Sequence, residues 1–218
     1  MTPTLIINIY NRPEYLKQCL ESVSKCDMPE RLVIILVNDG STDPETNRLF
    51  NEFSIPNGCV TKVPLDRNYG IRKALQKGCE FAFYLLVRDA VVINLDSDTV
   101  VKPNFITRIM ELHTQFPDCI VTGFNSRTKN ADGSDRHPLL HEYDGYNTKK
   151  SVGGVNMCFN KEVYEKYIEP ALKIEGNWDY HACLNSMAHD HPIVCAVPSV
   201  VQHIGWKSTM GHDGMDMA

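Results

Sequence analysis

Three runs of strand length decide most of what this chain can become. "TLIINIY", "RLVIILV" and "VVINL" are almost wholly apolar and rich in Ile and Val. A strand that is apolar on both sides must be covered on both sides, as happens in a parallel sheet wrapped by crossover helices. The segments between the runs agree. Pro13 sits in the first turn of a helix opening at Arg12, and "STDPE" enters a second helix. A short strand near "CVTKV" and a long helix from about Gly70 come next. The order βαβαβαβ predicts an α/β fold with a mostly parallel, Rossmann-like central sheet, whose ligands lie beyond the carboxyl ends of the strands. Polar clusters fall at three of those ends: Tyr10 to Arg12, Asn38 to Asp43, and Asp96 to Asp98. They are expected to meet in space.

The second half reads as a helix over "PNFITRIMELHTQF", a strand "CIVTGF", and a polar stretch from Asn125 to Lys150. A loop that long in a compact domain is usually a functional flap or disordered. After it come "VGGVNMCF", two helical stretches, a strand "PIVCAVP", and "VVQHIGWKS". The last eight residues, "GHDGMDMA", read as a tail or as the cut edge of a longer protein.

With 218 residues the chain is expected to be one domain. Its net charge of −5, with no basic run interleaved with aromatics, argues against a nucleic-acid partner. The first apolar run is broken by Asn8 and lacks a basic leader. No span of about twenty apolar residues is present. A soluble cytoplasmic protein is expected, with peripheral contact as the only membrane association left open. The eight cysteines include no CxxC pair and mostly lie in apolar stretches, so they read as reduced core residues.

Asp96 and Asp98 stand one residue apart at the end of "VVINL". Neighbouring carboxylates repel, and a shared hard cation offsets that repulsion. Alternatively they cap the helix that starts near Pro103. Asp179 in "GNWDYHA" reads on its own as an N-cap of the kind common at helix starts. Trp178 beside it reads as a core residue, and a lone histidine such as His203 in "VVQHIG" is more often packed than a ligand.

These stretches together resemble the nucleotide-sugar glycosyltransferases of the GT-A fold, in particular the large inverting group with "DGS" after the second strand and "DxD" after the fourth. The residues that carry the resemblance are "INIYNRPEYLKQCLESV", "VILVNDGSTDPE", "DRNYGIRKAL", "NLDSDTVVKPNFI", "GGVNMCFNKEVYEK" and "NWDYHACLNSMAHDHPIVCAVPSVVQHIG". Asn38 stands where an acid is more usual, and Trp178 replaces the acid that usually precedes the base.

The resemblance implies a nucleotide-sugar half, residues 1–98, and a smaller acceptor-binding and catalytic half, residues 99–218. Donor contacts would come from Tyr10, Arg12, Asp39, Arg67, Asn68, Arg72, Asp96, Ser97 and Ser208, with Lys73 and Lys207 as further basic candidates. Asp39 would meet the base edge. Asp96, Asp98 and His203 would hold Mn2+ or Mg2+. Asp179 would be the catalytic base, with Asp190 and Glu175 in reserve, and Gly154 and Trp178 would touch the acceptor. Among the other histidines, His181, His189, His191 and His212 have weaker claims, and His137 and His141 read as solvated. The implied reaction moves a sugar, most simply from a UDP-sugar, to a hydroxyl of a glycan or glycoconjugate with inversion, a retaining reaction being the alternative on the same fold.

"VVINLDSDTV" also fits the opening strand of haloacid-dehalogenase-like phosphatases, in which Asp96 would be a phosphorylated nucleophile. That motif needs a first strand, a later Lys and a further acidic pair. A nucleotidyltransferase would need a Gly-rich, basic triphosphate loop, which "NIYNRPEY" is not. A binding module that has lost catalysis completes the alternatives.

Overall fold

The apolar runs occupy the middle of a nine-stranded sheet in the computed structural model, which describes residues 1–56 and 58–205. Strands β1 (Thr2–Ile9), β2 (Val33–Asn38), β3 (Cys59–Pro64) and β4 (Ala90–Asp96) run parallel in the order β3-β2-β1-β4. Helices α1 (Pro13–Val23), α2 (Pro44–Glu52) and α3 (Ile71–Glu80) make the crossovers, and a π-helical stretch, Phe81–Leu86, extends α3. The sheet continues antiparallel from β4 into β9 (Asn156–Asn160), then through β6 (Val121–Thr122), β10 (Ile193–Ala196), β8 (Tyr146–Lys149) and β7 (Leu139–Tyr143). A separate ribbon pairs β5 (Thr99–Val101) with β11 (Val201–His203).

Alternate side chains of β1 enter opposite cores. Leu5, Ile7 and Ile9 pack with Leu16, Cys19, Phe50 and Ile109 of α1, α2 and α4 (Phe105–Gln115). Ile6 joins Leu75 and Cys79 of α3, and Tyr167, Ile168 and Ala182 on the far side. The far layer is built from α5 (Lys161–Val163), a π-helical stretch Tyr164–Ile168, α6 (Glu169–Leu172) and α7 (Trp178–Met187). Both faces of the central strands are therefore dry, which is why their sequences do not alternate.

Two expectations need correction. Asn125 to Lys150 is not a structureless flap: it holds the β7–β8 hairpin, and β8 extends the main sheet by pairing with β10. Asp144 and Gly145 supply its two-residue turn, with Gly145 at φ 82°. A DG turn is a strong hairpin signal that the polar composition around it obscured. The strand in "CIVTGF" is only two residues long, because the Gly123 N–H turns to the side chain of Asn156 (2.7 Å).

All eight cysteines are unpaired and only Cys59 is exposed. Burial pushes the thiols of Cys19 and Cys26 up to about 12, so they stay protonated and unreactive.

His113, on α4, is fully buried and neither ring nitrogen has a hydrogen-bond partner among the described residues. Burial holds its pKa below the ordinary 6.5, with Asp118 opposing weakly. The unfolded chain takes up this proton more readily than the folded one, so stability is complete above pH 6.5 and falls as pH drops below it. Replacing His113 by Leu is expected to flatten that acid limb of thermal stability and to raise stability at pH 7 by about 1–3 kcal/mol, read by denaturant unfolding at both pH values.

Candidate active site

The polar clusters meet at the carboxyl edge of the sheet, held by backbone strain and by side-chain bonds to backbone. Asn11 and Arg12, after β1, both take left-handed conformations, φ 50° and 60°. Such geometry is costly for a residue with a side chain and persists only when its surroundings enforce it. Here the Asn11 Oδ1 accepts from the N–H groups of Thr42 (2.9 Å) and Asp43 (3.0 Å), and the Asn11 N–H donates to Ser41 Oγ (2.9 Å). The first and second strand ends are thereby tied together, and Arg12 is aimed at the acids after the fourth.

Asp39 is almost fully buried and takes the N–H groups of Tyr69 and Gly70, each at 2.8 Å, one on each carboxylate oxygen. It anchors the turn that starts α3. Asn38, standing in for the more usual acid, receives the Ser41 N–H and donates to Asn47, so it shapes the same loop. Gly40 has φ +64°, and a Cβ there would lie 2.2 Å from the carbonyl carbon of Arg67. Gly40→Ala is expected to cost roughly 1–3 kcal/mol in denaturant unfolding, because the obstacle is backbone and the conformation is left-handed.

The Asp98 Oδ2 sits 2.8 Å from the Arg12 guanidinium and 3.2 Å from His203 Nε2. Burial pushes the Asp98 carboxyl up, but the hydrogen bonds and charges of His203 and Arg12 outweigh it and hold it below the usual carboxylate range. Asp96 differs. Burial, then the charges of Asp98 and Asp179, push it well above that range, and its Oδ1 is buried without a hydrogen-bond partner. The two acids of the "DSD" stretch thus shift in opposite directions, because His203 and Arg12 bond Asp98 directly whereas Arg12 reaches Asp96 only as a weaker charge.

Asp179 lies in the first turn of α7. Its Oδ2 accepts from the Gly154 N–H and its Oδ1 from the Tyr180 N–H, both at 2.9 Å. Asp190 lies beyond the far end of that helix, whose run from Asp179 to Met187 is about 12 Å long, and Glu175 is exposed on the loop before it. Asp179 is therefore the reserve-free candidate beside the acid pair.

Other expected residues are dispersed. Tyr10 and Ser97 are half-buried at the strand ends, and Arg67 and Asn68 are exposed, Arg67 over the Tyr69 ring and Asn68 accepting from the Gly70 N–H. Arg72 donates to the Ile174 carbonyl and Lys73 to Gln76. Trp178 is only 5% exposed, and its ring lies where a Gly154 Cβ would be, 2.8 Å away. The expectation that it stacks on an acceptor is corrected in favour of the core alternative. His137, expected to be solvated, is half-buried and bonded to Ser151 (3.1 Å), whereas His141 is exposed as expected. His189 and His191 serve Asn185 and Tyr167. Lys207, Ser208 and His212 lie outside the described residues.

A family model described as "Glycosyl transferase family 2" matches residues 4–172. The chain belongs to glycosyl transferase family 2.

The family is one of sugar-transferring enzymes, and the phosphatase alternative falls: the strand that ends at Asp96 is the fourth of a parallel set, not the first strand that its motif needs. An undecaprenyl-phosphate 4-deoxy-4-formamido-L-arabinose transferase from Edwardsiella ictaluri is 31% identical over 55% of this chain and 36% of its own length. The protein of the same name from Photorhabdus laumondii is 30% identical over 78% of this chain and 50% of its own. The chain spans between a third and a half of the length of these relatives. A solved structure of GalNAc-T7 with UDP, GalNAc and Mn2+ superposes with a TM-score of 0.70, covering 93% of this chain and 44% of that one at 15% identity. That likeness bears out the GT-A fold. Among the described residues no helix is long and apolar enough to cross a membrane.

The site contains residues that the sequence reading passed over. Asn8, Asn94 and Asn156 are buried polar residues on β1, β4 and β9 to which the sequence assigned no site role, Asn8 being noted only as a break in the first apolar run. An amide inside an otherwise dry strand was the available signal.

Proposed function

We propose that this family 2 enzyme transfers a sugar from a nucleoside-diphosphate sugar, a UDP-sugar first, to an acceptor hydroxyl, with inversion and with Asp179 as the base. The observation that carries the reading is the convergence of Arg12, Asp96, Asp98, His203 and Asp179 at the carboxyl edge, where open α/β sheets take ligands. Asp39 and Tyr10 would line the nucleotide, and Arg12 would face the diphosphate.

The acid pair fits a divalent cation. Among the described residues no three His, Cys, Asp or Glu side chains are already gathered as a ligand set. Asp96 nonetheless carries a buried, unpartnered oxygen, and Asp98 already shares its carboxylate with an imidazole. Oxygen donors joined by one imidazole suit Mn2+, with Mg2+ the harder alternative. Asp96, Asp98 and His203 would hold the ion, which when bound neutralises charge on the departing diphosphate.

The acceptor divides into two chemistries. The relatives' names specify undecaprenyl phosphate, whose oxygen is already anionic and needs no base. A glycan hydroxyl does need one, and a carboxylate held by two N–H groups beside the acid pair supports the hydroxyl. A thermal-shift panel of nucleotide sugars with and without Mn2+ is expected to show one donor stabilising the protein, more strongly with the metal. No response to any donor would sink the reading, and a product of retained anomeric configuration would remove Asp179 as its base.

A further inference from the structure

The base is not oriented by its own helix alone. Its Oδ2 takes the N–H of Gly154 at 2.9 Å, and the carbonyl of the same glycine accepts from Asn94 Nδ2 at 3.0 Å. Asn94 is fully buried on β4, and its Oδ1 accepts from Asn8 Nδ2, on β1, at 2.7 Å. Each link fixes the next. A carbonyl only accepts, so Gly154 forces the amide nitrogen of Asn94 to face it, and the oxygen of Asn94 then forces the orientation of Asn8. The backbone carbonyl of Asn94 is engaged as well, receiving Asn156 Nδ2 at 2.6 Å, while Asn156 Oδ1 takes the Gly123 N–H.

Gly154 has room for nothing larger, since a Cβ would meet the Trp178 ring at 2.8 Å and the Asp179 Cβ at 3.3 Å. The N–H and C=O of Gly154 belong to successive peptide groups joined at its Cα, and a residue packed that tightly couples the position of one to whatever holds the other. The chain of amides also leaves Asn8 Oδ1 buried with no partner among the described residues. Burying an unpartnered oxygen is unfavourable, and replacing paired amides by apolar residues of the same shape can be nearly neutral, so stability alone is a weak reason for the set.

We infer that Asn94 is a positioning residue for Asp179, acting through the Gly154 peptide, with Asn8 locking its orientation. This rests on Asp179 being the base. Loss of the Asn94 donor frees the 154–155 peptide, shifts the Gly154 backbone and moves the carboxylate relative to the acceptor.

The test is a double-mutant cycle read on UDP release from whichever of UDP-glucose, UDP-galactose and their N-acetyl forms turns over fastest. Asn94→Leu, close in size and lacking the donor, is expected to lower kcat by about tenfold to a hundredfold with donor KM unchanged, since small displacements of a reacting group cost this much. In an Asp179→Asn background the same change should have almost no effect, because the base through which it acts is gone. Equal losses in both backgrounds, a change confined to donor KM, or no loss at all would overturn the inference while leaving Asp179 as base. Undiminished turnover in Asp179→Asn alone would remove both. Asn94→Ala, which also removes the donor, serves if the Leu variant does not fold, with the Gly154 amide resonance as a readout independent of turnover.

Discussion

Replacing Asp179 by Asn is expected to lower turnover by on the order of 10²- to 10⁴-fold, the usual contribution of a general base, while donor binding stays within about twofold. The separation follows from its bonding partners. Asp179 is bonded to Gly154 and Tyr180, both in the second half of the chain and away from Tyr10, Arg12 and Asp39 in sequence. The change is nearly isosteric but not silent. An amide has one accepting oxygen, so only one of the two N–H groups now held at 2.9 Å keeps its partner. Thermal unfolding run beside the kinetics separates that local loss from the loss of the base. A variant with a parental melting point and a collapsed kcat supports the assignment. Parental turnover would instead place the reaction with an acceptor that needs no base, such as a phosphate.

How much of this was legible in the sequence depends on range. Pro13, Pro44 and Gly70 mark helix starts locally, and β1, β2 and β4 announce themselves by unbroken apolar character, so the donor half follows from residues near each other in the chain. The motif positions Asp39, Asp96 and Asp98 fall at strand ends for the same reason. Contacts between distant residues do not show themselves this way. Arg12 bonds Asp98 across 86 positions and Asn94 bonds Gly154 across 60. Nothing local separates an asparagine that holds a glycine loop from one that merely interrupts a strand. Trp178 was equally open, because burial of an amphipathic ring is decided by what packs over it. The β7–β8 hairpin was hidden by its polar surface: most of β7 is exposed, so the apolar pattern that betrays a buried strand is missing.

Asp98→Asn is expected to abolish any Mn2+-dependent stabilisation by a nucleotide sugar, and with it turnover. The Arg12 and His203 contacts on its Oδ2 hold the Asp98 carboxyl below the usual carboxylate range. A neutral amide there would lose the charge that a cation requires. It would also leave the Arg12 guanidinium, which already has one buried nitrogen without a partner, beside an uncharged group. Charge-assisted hydrogen bonds of this kind contribute about 1.5–3 kcal/mol, so a lower melting point without ligand is expected too. Arg12 supplies the discriminating control. In the metal-free protein it occupies the carboxylate that a cation would take, so the two compete. Arg12→Met should therefore tighten Mn2+ binding in a direct titration even as it weakens donor binding, because the same guanidinium would otherwise turn to the diphosphate. Mn2+ affinity that falls in both variants would mean that Arg12 organises the acid pair instead of competing for it. Mn2+ affinity unchanged in Asp98→Asn would place the metal away from the pair altogether.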